Sequence, residues 1–517
     1  MAIVTTAEPT AEGRRRYALR SPATTEHIGE LECATDDDIR DMVARAREAQ
    51  PQWEALGAHG RAEYLRRALA ILVRRQEQFV DVIVGESGKP RPEALMIDVF
   101  AAADSLAFLA KHAPRWLASE KVPTHGVLRF TKRVQVHYQP LGVVGVISPW
   151  NGPLILSLNP AIQALIAGNT VIIKPSEVTP YSGKLAVDLF TEAGIPQGVI
   201  QVAMGDGQTG AALVGGGLDK VHFTGSVATG RRIAQECASQ LIPCTLELGG
   251  NDAMIVCSDA DLDAAAGGAV VGSMFNTGQY CCGTERVYVM DDVVEEFTAK
   301  VVDRVRRLRQ STSGVFDVGP MFWDRQLEKV TQQVDSAVSG GATALVGGKR
   351  NASLPGLYYE PTVLSGVTHD MEVMRDETFG PVLPIVAVSS VDEAVKLAND
   401  TNYGLAGSVW TTDVDAGIGI ASRLHTGSVS VNDMALTYGI PEAPFGGRRD
   451  SGVGQANGKV GVRGFTHAQP IVVDRFGGKQ TASQYPYDKR TERITSALIR
   501  LIWGKGLARL GLGSSKG

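Results

Sequence analysis

After Pro140 the chain alternates short apolar, β-branched runs with stretches of helical periodicity. Runs that are apolar throughout, joined by helical segments of roughly 15–20 residues, are typical of parallel strands buried on both faces. The first series contains LGVVGVIS, NTVIIKPS, KVHFTGS and CTLELGG. A second series begins near Asn251 with DAMIVC, ERVYVM, PVLPIVAVS, AGSVWTT and GSVSVND. The pattern predicts an α/β fold with two doubly wound parallel-sheet domains, divided near Gly249–Asn251, where a glycine pair suits a hinge.

The segment before Pro140 follows another pattern. From Thr35 to about Leu109 the apolar positions fall three and four residues apart, which predicts helices. The first repeat consists of Ile39, Met42, Val43 and Ala46. The stretch VLRFTKRVQVHYQP then alternates apolar and polar residues with period two. It predicts strands with one face in water, as in a protruding hairpin or a small sheet extension.

Three predicted helices carry capping signals at their starts. Thr35 can cap the first helix of the N-terminal segment. In the second series Ser258 with Asp261, and Ser390 with Glu393, have the spacing of capping boxes.

Composition narrows the class of protein. The 517 residues are 44% hydrophobic and 21% charged, with a net charge of −5, so the chain has no global electrostatic footprint for nucleic acid. Its six cysteines are scattered without CxxC, its N-terminus lacks a secretory pattern, and no run is long enough to span a membrane. We therefore expect a cytoplasmic protein. The nine histidines are dispersed without metal-ligand spacing, and we expect no metal.

Two motifs at predicted strand ends fit a nucleotide. Lys174 ends the strand VIIK and Glu177 lies three residues on, where ribose hydroxyls bind in open α/β sheets, and a carboxylate there favours a free 2′-hydroxyl over a 2′-phosphate. The alternative is a solvated ion pair. Gly225 and Ser226 lie between a strand and a helix, where free N–H groups suit a phosphate. The alternative there is an ordinary tight turn.

Two further strand ends fit acid–base chemistry. Asn151, between Trp150 and Gly152, lies in a turn where its amide could donate to an oxyanion, although Asn is also a common turn residue. Glu247 ends the strand TLEL beside two glycines. A carboxylate in such a run is either exposed at a sheet edge or held for general-base work.

Cys281 and Cys282 are adjacent. Neighbouring cysteines are poorly placed to form a disulfide with each other, and two sulfurs make no zinc site. Both can simply be small core residues, because free cysteine is among the most buried residue types. Consecutive side chains diverge in most backbone conformations, so at most one of the two sulfurs can face a given substrate.

The order of these motifs is more specific than any one of them. PWN, KPSE, FTGS, ELGG, GQYC, ETFGPV and PFGG follow one another as in the NAD(P)-dependent aldehyde dehydrogenase superfamily. The chain resembles that family from about Arg20 to Phe476. The combination of ELGG with FxNxGQxCxxxxR is highly specific. The pattern is formed here by Phe275, Asn276, Gly278, Gln279, Cys281 and Arg286.

The resemblance implies a set of roles. Cys281 matches the nucleophile, Asn151 and the Cys281 backbone N–H the oxyanion donors, and Glu247 the base that activates water to hydrolyse the thioester. Cys282 matches a neighbour with no required role. The remaining positions match contacts to NAD: Lys174 and Glu177 at the adenosine ribose, Gly225 and Ser226 at the pyrophosphate, Glu377 at the nicotinamide ribose, and Phe379 and Trp150 near the nicotinamide.

The resemblance also implies an organisation and partners. An NAD-binding domain would comprise residues 1–121 and 141–249, and a catalytic domain residues 250–447. Oligomerisation strands would lie at 122–140 and 463–478, so that a homodimer or homotetramer acts on a small-molecule aldehyde. Gly152 stands where many relatives have an aromatic residue, which indicates a wider tunnel and a bulky or branched aldehyde unless Tyr280 refills the space. Asn251 replaces the Lys usual after ELGG.

Three other interpretations are weaker. In a coenzyme-A-acylating dehydrogenase a thiol cleaves the thioester and the general-base Glu is typically missing, so Glu247 argues for hydrolysis. A hydrolase would need a strand before and a helix after its GxSxG, and here that motif is the chain end at residues 513–517. A non-enzymatic protein on this fold would not need Asn151, Glu247, Cys281 and Glu377 together.

The tail, residues 479–517, lies beyond the family's common core. From Asp488 onward the chain has seven basic and two acidic residues, which gives this part a net charge of +5. The rest of the chain therefore carries a net charge of −10. A helix with one apolar face is expected, formed by Ile494, Ala497, Leu498, Leu501 and Ile502. This helix either docks on the enzyme or a partner subunit or binds peripherally to an anionic membrane. Its modest length favours docking.

Overall fold

The computed structural model describes residues 2–10, 13–126, 128–434, 437–477 and 485–504. Two compact units result: Met1–Trp116 with Pro140–Phe465, and Leu117–Gln139 with Thr466–Gly517.

The N-terminal segment is mainly helical, as its periodicity predicts. The helix α1 begins at the cap Thr35, whose side chain accepts from the Asp38 N–H while the Asp38 carboxylate accepts from the Thr35 N–H, so both halves of a capping box are present. The segment contains β1 (Val4–Ala7), β2 (Arg16–Arg20), β3 (His27–Glu32), α1 (Asp36–Ala55), α2 (Gly57–Ser87), α3 (Arg91–Glu93), a π-helix (Ala94–Phe100), α4 (Ala101–Trp116), β4 (Glu120–Val122), α5 (Leu128–Thr131) and β5 (Lys132–Pro140).

The first predicted αβ series forms a six-stranded sheet. Its order is β18-β10-β9-β6-β7-β8, and all neighbouring strands are parallel except the pair β18 and β10. The strands and helices are β6 (Val143–Ile147), α6 (Ile155–Ala167), β7 (Thr170–Lys174), α7 (Pro180–Glu192), β8 (Ile200–Val202), α8 (Gly207–Val214), β9 (Lys220–Thr224), α9 (Val227–Gln240) and β10 (Cys244–Glu247). Every residue of β6 and β7 is buried, as expected for strands covered on both faces.

The second series forms a seven-stranded sheet with the order β13-β14-β15-β12-β11-β16-β17, parallel except at β13. Its elements are β11 (Asp252–Val256), α10 (Leu262–Met274), a 3₁₀ turn (Phe275–Gly278), β12 (Thr284–Met290), α11 (Val294–Arg306), α12 (Asp324–Ser339), β13 (Thr343–Val346), β14 (Thr362–Ser365), α13 (Glu372–Arg375), β15 (Val382–Val388), α14 (Val391–Asn399), β16 (Gly407–Trp410), α15 (Val414–Ala421) and β17 (Ser430–Val431). The predicted α/β class with two parallel sheets is confirmed.

The chain then returns to the first sheet before it ends. Two 3₁₀ turns (Thr437–Gly439 and Arg449–Ser451), β18 (Gly452–Val453), α16 (Gly458–Arg463), β19 (Thr466–Asp474) and α17 (Lys489–Trp503) complete the described chain. Gly452 has φ 149°, and a Cβ there would lie 2.2 Å from the Leu246 carbonyl oxygen. The close pairing of β18 with β10 therefore requires a glycine at this position.

Two sequence expectations need correction. Residues Leu128–Thr131 form a helical turn rather than strand, because Leu128 and Phe130 are exposed and no buried face fixes a two-residue period there. The helix α10 begins at Asp261, whose side chain accepts from two backbone N–H groups, while the Ser258 hydroxyl donates to Asp292. The capping box at Ser258 is therefore wrong, because a better acceptor lies three residues later.

The helix α14 does begin at Ser390, as predicted, with the hydroxyl accepting from the Glu393 N–H at 3.2 Å. The reciprocal half of the box is shifted by one residue, because the Glu393 carboxylate accepts from the N–H of Ser389. No helix in the described ranges is both long and apolar enough to cross a bilayer.

Candidate active site

A cavity of about 190 Å³ opens where strands of the first sheet end and strands of the second sheet begin. In the first sheet its lining follows the carboxyl ends of β6, β9 and β10, and in the second it precedes the amino ends of β12 and β15. Eight predicted site residues line it together: Trp150, Asn151, Gly225, Ser226, Glu247, Cys281, Glu377 and Phe379. Lys174 and Glu177 do not line this cavity, but Lys174 ends β7 and Glu177 lies three residues beyond it, at the same edge of the first sheet.

The loop before Cys281 has an unusual backbone. Asn276, Thr277 and Gly278 all lie in the left-handed region, with φ of 55°, 60° and 68°. A Cβ at Gly278 would lie 2.0 Å from the Gly380 carbonyl oxygen, so glycine is required there. Left-handed conformations at non-glycine residues are costly and persist only where the surroundings impose them. The left-handed run ends at Gly278, three residues before Cys281.

Buried polar side chains impose this conformation. Gln279 is completely buried, its Nε2 donates to the Asn276 carbonyl at 3.1 Å, and its Oε1 accepts from the Phe322 N–H at 2.9 Å. The Asn276 N–H donates to Glu93 at 3.0 Å. Burial raises the pKa of Glu93 to about 7. The Asn and the Gly-Gln pair of the sequence motif therefore shape the loop that carries Cys281.

Asn151 is fixed to the same loop. Its Nδ2 donates to the Gln279 carbonyl at 3.1 Å, which leaves its second N–H available to the cavity among the residues described. The Asn151 carbonyl accepts from Asn276 Nδ2 at 2.9 Å and from Lys89 Nζ at 3.0 Å. Because the backbone carbonyl and the side-chain amide of Asn151 are both held, the amide is a preorganised donor of the kind that an oxyanion site needs.

Lys89 belongs to a buried ion pair that sequence reasoning missed. Its ammonium lies 3.1 Å from Asp98, and both side chains are 0% exposed. Asp98 also accepts from the N–H groups of Leu154 and Ile155 at the start of α6. Breaking such a pair would leave a buried charge uncompensated, so Lys89 and Asp98 position Asn151 rigidly. In the sequence Lys89 stands in an exposed-looking SGKP turn, and nothing marks it as buried.

The two cysteines have different surroundings. Cys281 is half-buried and lines the cavity, whereas Cys282 is 3% exposed and packs with Leu405, Ala406 and Phe445. Hydrogen bonding with the Cys282 thiol, together with burial, raises the pKa of Cys281 above its ordinary value. The resting group is therefore a neutral thiol at neutral pH, and its proton must leave when the sulfur attacks.

Glu247 ends β10 with its carboxylate in the same cavity. Burial raises the pKa of Glu247 well above its usual range, the Cys281 thiol acts in the same direction, and the Ala456 N–H opposes both. That N–H donates to the Phe445 carbonyl at 2.7 Å, and neither Glu247 oxygen has a hydrogen-bond partner in the part of the chain that is described. A buried carboxyl without partners is available to exchange a proton with a water or thiol beside it.

Tyr438 closes the side of the site near Cys282. Its hydroxyl accepts from Asn159 Nδ2 at 3.1 Å, its carbonyl accepts from Asn457 Nδ2 at 2.9 Å, and its ring packs edge-on against Phe445. Burial raises the pKa of Tyr438, and Glu247 and Cys281 add to the shift, so the ring lies near both. The sequence carried no signal for this residue.

Gly152 does not leave an open space. A Cβ there would lie 3.2 Å from Ile155 Cγ2 and 3.4 Å from Leu156 Cδ1, so these two side chains pack closely against the glycine. Tyr280 packs edge-on against Phe275, with ring centroids 5.9 Å apart. The expectation of a wide tunnel is therefore weakened.

The cofactor-side residues are arranged for a dinucleotide. Lys174 Nζ lies 3.3 Å from Glu177, whose side chain is 28% exposed. Ser226 caps α9, its hydroxyl accepting from the Thr229 N–H at 3.4 Å, and Gly225 precedes it without a side chain at the helix start. A helix N-terminus next to a glycine suits a pyrophosphate.

The loop that carries Thr378 and Phe379 is held by hydrogen bonds from two sides. Phe379 has a left-handed φ of 53°, and the N–H groups of Thr378 and Phe379 both donate to Glu285 at 2.9 Å. Gln326 Nε2 donates to the carbonyls of the same two residues. The clamp holds the Phe379 ring 5.5 Å from that of Trp150. Glu285 was missed because a single charge at a strand start looks like a surface position.

Glu377 and the glycine pair meet at the base of the cavity. The Gly250 N–H donates to Glu377 Oε1 at 2.9 Å, and a Cβ at Gly249 would lie 2.5 Å from Glu377 Oε2. Burial raises the pKa of Glu377 to about 7. The glycine pair therefore makes room for a carboxylate, beyond any role as a hinge.

Arg286 and Asn251 stabilise this corner. Arg286 is 1% exposed, and its guanidinium donates to the Asn251 carbonyl through Nε and Nη2 at 3.0 and 2.6 Å. The Asn251 amide donates to the Met374 carbonyl at 3.0 Å. Asn251 thus has a structural function in this chain.

Known proteins resemble the chain over most of its length. The model of the aldehyde dehydrogenase family matches residues 9–471. A Mycolicibacterium smegmatis protein named "Putative succinate-semialdehyde dehydrogenase [NADP(+)]" is 38% identical, covering 90% of both chains. A 4,4'-diapolycopene aldehyde oxidase of Methylomonas is 35% identical, covering 94% of this chain and 91% of that one.

Solved structures agree. The Mycobacterium tuberculosis aldehyde dehydrogenase complexed with NAD+ superposes with a TM-score of 0.85 at 33% identity, covering 92% of this chain and 97% of that one. An E. coli NADP-dependent enzyme gives 0.85 at 30% identity, covering 90% and 96%. The fold and site define an oxidoreductase with an NAD(P)-binding sheet. The chain belongs to the aldehyde dehydrogenase family.

Proposed function

We propose that the protein oxidises an aldehyde to the carboxylic acid, with NAD as the preferred hydride acceptor, through intermediates bound to Cys281. The observation that supports this most is the common cavity, where one half-buried sulfur, one preorganised amide and one carboxyl without a hydrogen-bond partner in the described chain converge. The test is an NADH-production screen across aliphatic, aromatic and hydroxylated aldehydes, with the products identified with and without coenzyme A. If the product is an acyl-coenzyme A, the thiol of coenzyme A cleaves the thioester in place of water.

Each step uses a residue already described. The Cys281 thiol releases its proton to solvent water as the sulfur attacks the aldehyde carbon, and the free Asn151 N–H and the Cys281 backbone N–H stabilise the oxyanion of the thiohemiacetal. NAD(P), when bound, accepts the hydride that leaves this carbon, so a thioester remains on Cys281. Glu247 takes a proton from water, which attacks the thioester and releases the acid and the thiol.

The chain's residues fit the cofactor. Gly225 and the start of α9 offer backbone donors for the pyrophosphate, and Lys174 with Glu177 would contact the adenosine ribose. Glu377 would contact the second ribose, and Phe379 with Trp150 would bound the nicotinamide.

NAD is expected to be used better than NADP, although several relatives carry NADP(+) in their names. The Glu177 carboxylate, only partly neutralised by Lys174, would repel a 2′-phosphate. Glu177→Gln should raise kcat/KM for NADP about tenfold, with little change for NAD beyond a lost ribose hydrogen bond. Steady-state kinetics with both cofactors checks this, and a higher wild-type kcat/KM with NADP would contradict it.

We also propose that the protein self-associates, at least to a dimer. The sheet β19-β5-β4 has β19 at its edge, and along this strand Ile471, Val472 and Val473 are all exposed. An exposed apolar edge strand invites pairing with another chain. Light scattering at micromolar concentration should give at least twice the 55.0 kDa chain mass, and Val472→Lys should lower it. A wild-type mass of one chain would refute the proposal.

A further inference from the structure

The helix α17 presents an apolar face that nothing in the described chain covers. None of its 15 residues is buried, and the exposed fractions reach 42% at Ile494, 52% at Ile499 and 58% at Leu501. Asp488 caps the helix through the Thr491 N–H at 2.6 Å, so its start is fixed. An amphipathic helix with an uncovered apolar face requires a partner surface.

The charged residues beside this face are mostly basic. Lys489, Arg493 and Arg500 follow one another along the flank of the apolar side, and Glu492 is the single acidic residue within α17. The sequence after Gly504 adds Lys505, Arg509 and Lys516 without any acidic residue. Two copies of such a helix packed face to face would bring like charges together, which disfavours a second copy as the partner.

Aromatic side chains stand at both ends of the helix. Trp503 is 62% exposed, and before the helix Tyr485 and Tyr487 are 79% and 59% exposed with their rings 4.6 Å apart. Tryptophan and tyrosine are enriched at the level of lipid headgroups, where one end of the ring is apolar and the other is wet.

We infer that α17 binds peripherally to an anionic lipid bilayer. Ile494, Leu498 and Leu501 would enter the boundary between headgroups and acyl chains, while the basic flank contacts anionic headgroups. The helix would lie in the plane of the surface without crossing it. The inference rests on α17 and its flanks alone and does not depend on the proposed reaction.

Vesicle co-sedimentation of the full-length protein tests the inference. Wild type should pellet with phosphatidylglycerol-containing vesicles at low salt and stay in solution with pure phosphatidylcholine. Salt at about 1 M shortens the Debye length to about 3 Å and should release it. Wild type that remains in the supernatant with anionic vesicles overturns the inference.

Two matched variants locate the contact. Leu498→Glu places a carboxylate on the apolar face, and Ser496→Glu places the same charge beside Arg493 and Arg500 on the basic flank. Leu498→Glu should lower the pelleted fraction at least fivefold and Ser496→Glu less than twofold, both with unchanged aldehyde oxidation. Equal losses in the two variants would mean that charge alone binds and would overturn the insertion of the apolar face. A lower mass of Leu498→Glu in vesicle-free light scattering would assign the face to a second copy, which also overturns it.

Discussion

Replacing Cys281 by alanine should abolish aldehyde oxidation. Cys281 is the sulfur that reaches the cavity, and without it neither the thiohemiacetal nor the thioester can form. Removing a nucleophile that acts in concert with other groups costs roughly 10⁴–10⁶ in kcat. We expect NADH production below about 10⁻⁴ of the wild-type rate in a stopped or continuous absorbance assay.

Cys282→Ala is the matched control. Cys282 packs against Leu405, Ala406 and Phe445, so its loss removes one small apolar contact and a hydrogen bond to Cys281. Activity should stay within an order of magnitude of wild type. Because the Cys282 thiol raises the pKa of Cys281, its removal should shift the alkaline rise of thiol alkylation by iodoacetamide to lower pH. If Cys282→Ala were inactive and Cys281→Ala active, Cys282 rather than Cys281 would be the nucleophile.

Replacing Glu247 by glutamine should separate the two halves of the reaction. The amide keeps the size of the side chain but cannot take a proton from water, so thioester hydrolysis should slow roughly 10²–10⁴-fold. Acylation does not need this base, and a burst of NADH close to one equivalent per active site should precede the slow phase. Rapid mixing with excess aldehyde measures both phases. A steady state at the full wild-type rate would rule out the role.

The pH dependence provides a second measurement. Burial raises the pKa of Glu247 well above its usual range, so the carboxyl loses its proton and becomes active as a base at a higher pH than an exposed glutamate would. The rate of thioester hydrolysis in the wild type should therefore increase with pH as the Glu247 carboxyl loses its proton. In Glu247→Gln the rate of the slow phase should no longer increase with pH. The amplitude of the NADH burst in this variant should not change with pH. A variant without any burst would instead place Glu247 before hydride transfer, as the base for Cys281.

The sequence predicted the sheets because their signal is strong and local. Strands such as β6 and β7 are buried along their whole length, and runs of valine and isoleucine reflect that burial directly. The site residues at strand ends were found for the same reason: motif order and strand ends together place Asn151, Glu247 and Gly225 at one edge.

What the sequence could not show are contacts between distant segments. Lys89 is 62 positions from Asn151, and Glu285 is 94 positions from Phe379, yet both pairs are in hydrogen-bond contact. Neither Lys89 nor Glu285 lies in a pattern that distinguishes a buried charge from a surface one. The predicted start of α10 was wrong for a more local reason. Two possible capping side chains lie three residues apart, and only packing selects between them.

The nucleophile is held by groups that lie outside the cavity. Lys89, Asp98, Asn276 and Gln279 do not line it, and they fix the Cys281 loop through buried hydrogen bonds. The side chains that line the cavity from α12 take no part in these hydrogen bonds. Directed evolution toward new aldehydes can therefore randomise such lining positions while the four buried groups keep the Cys281 loop in place. The same separation makes the chain a tolerant scaffold for library selection.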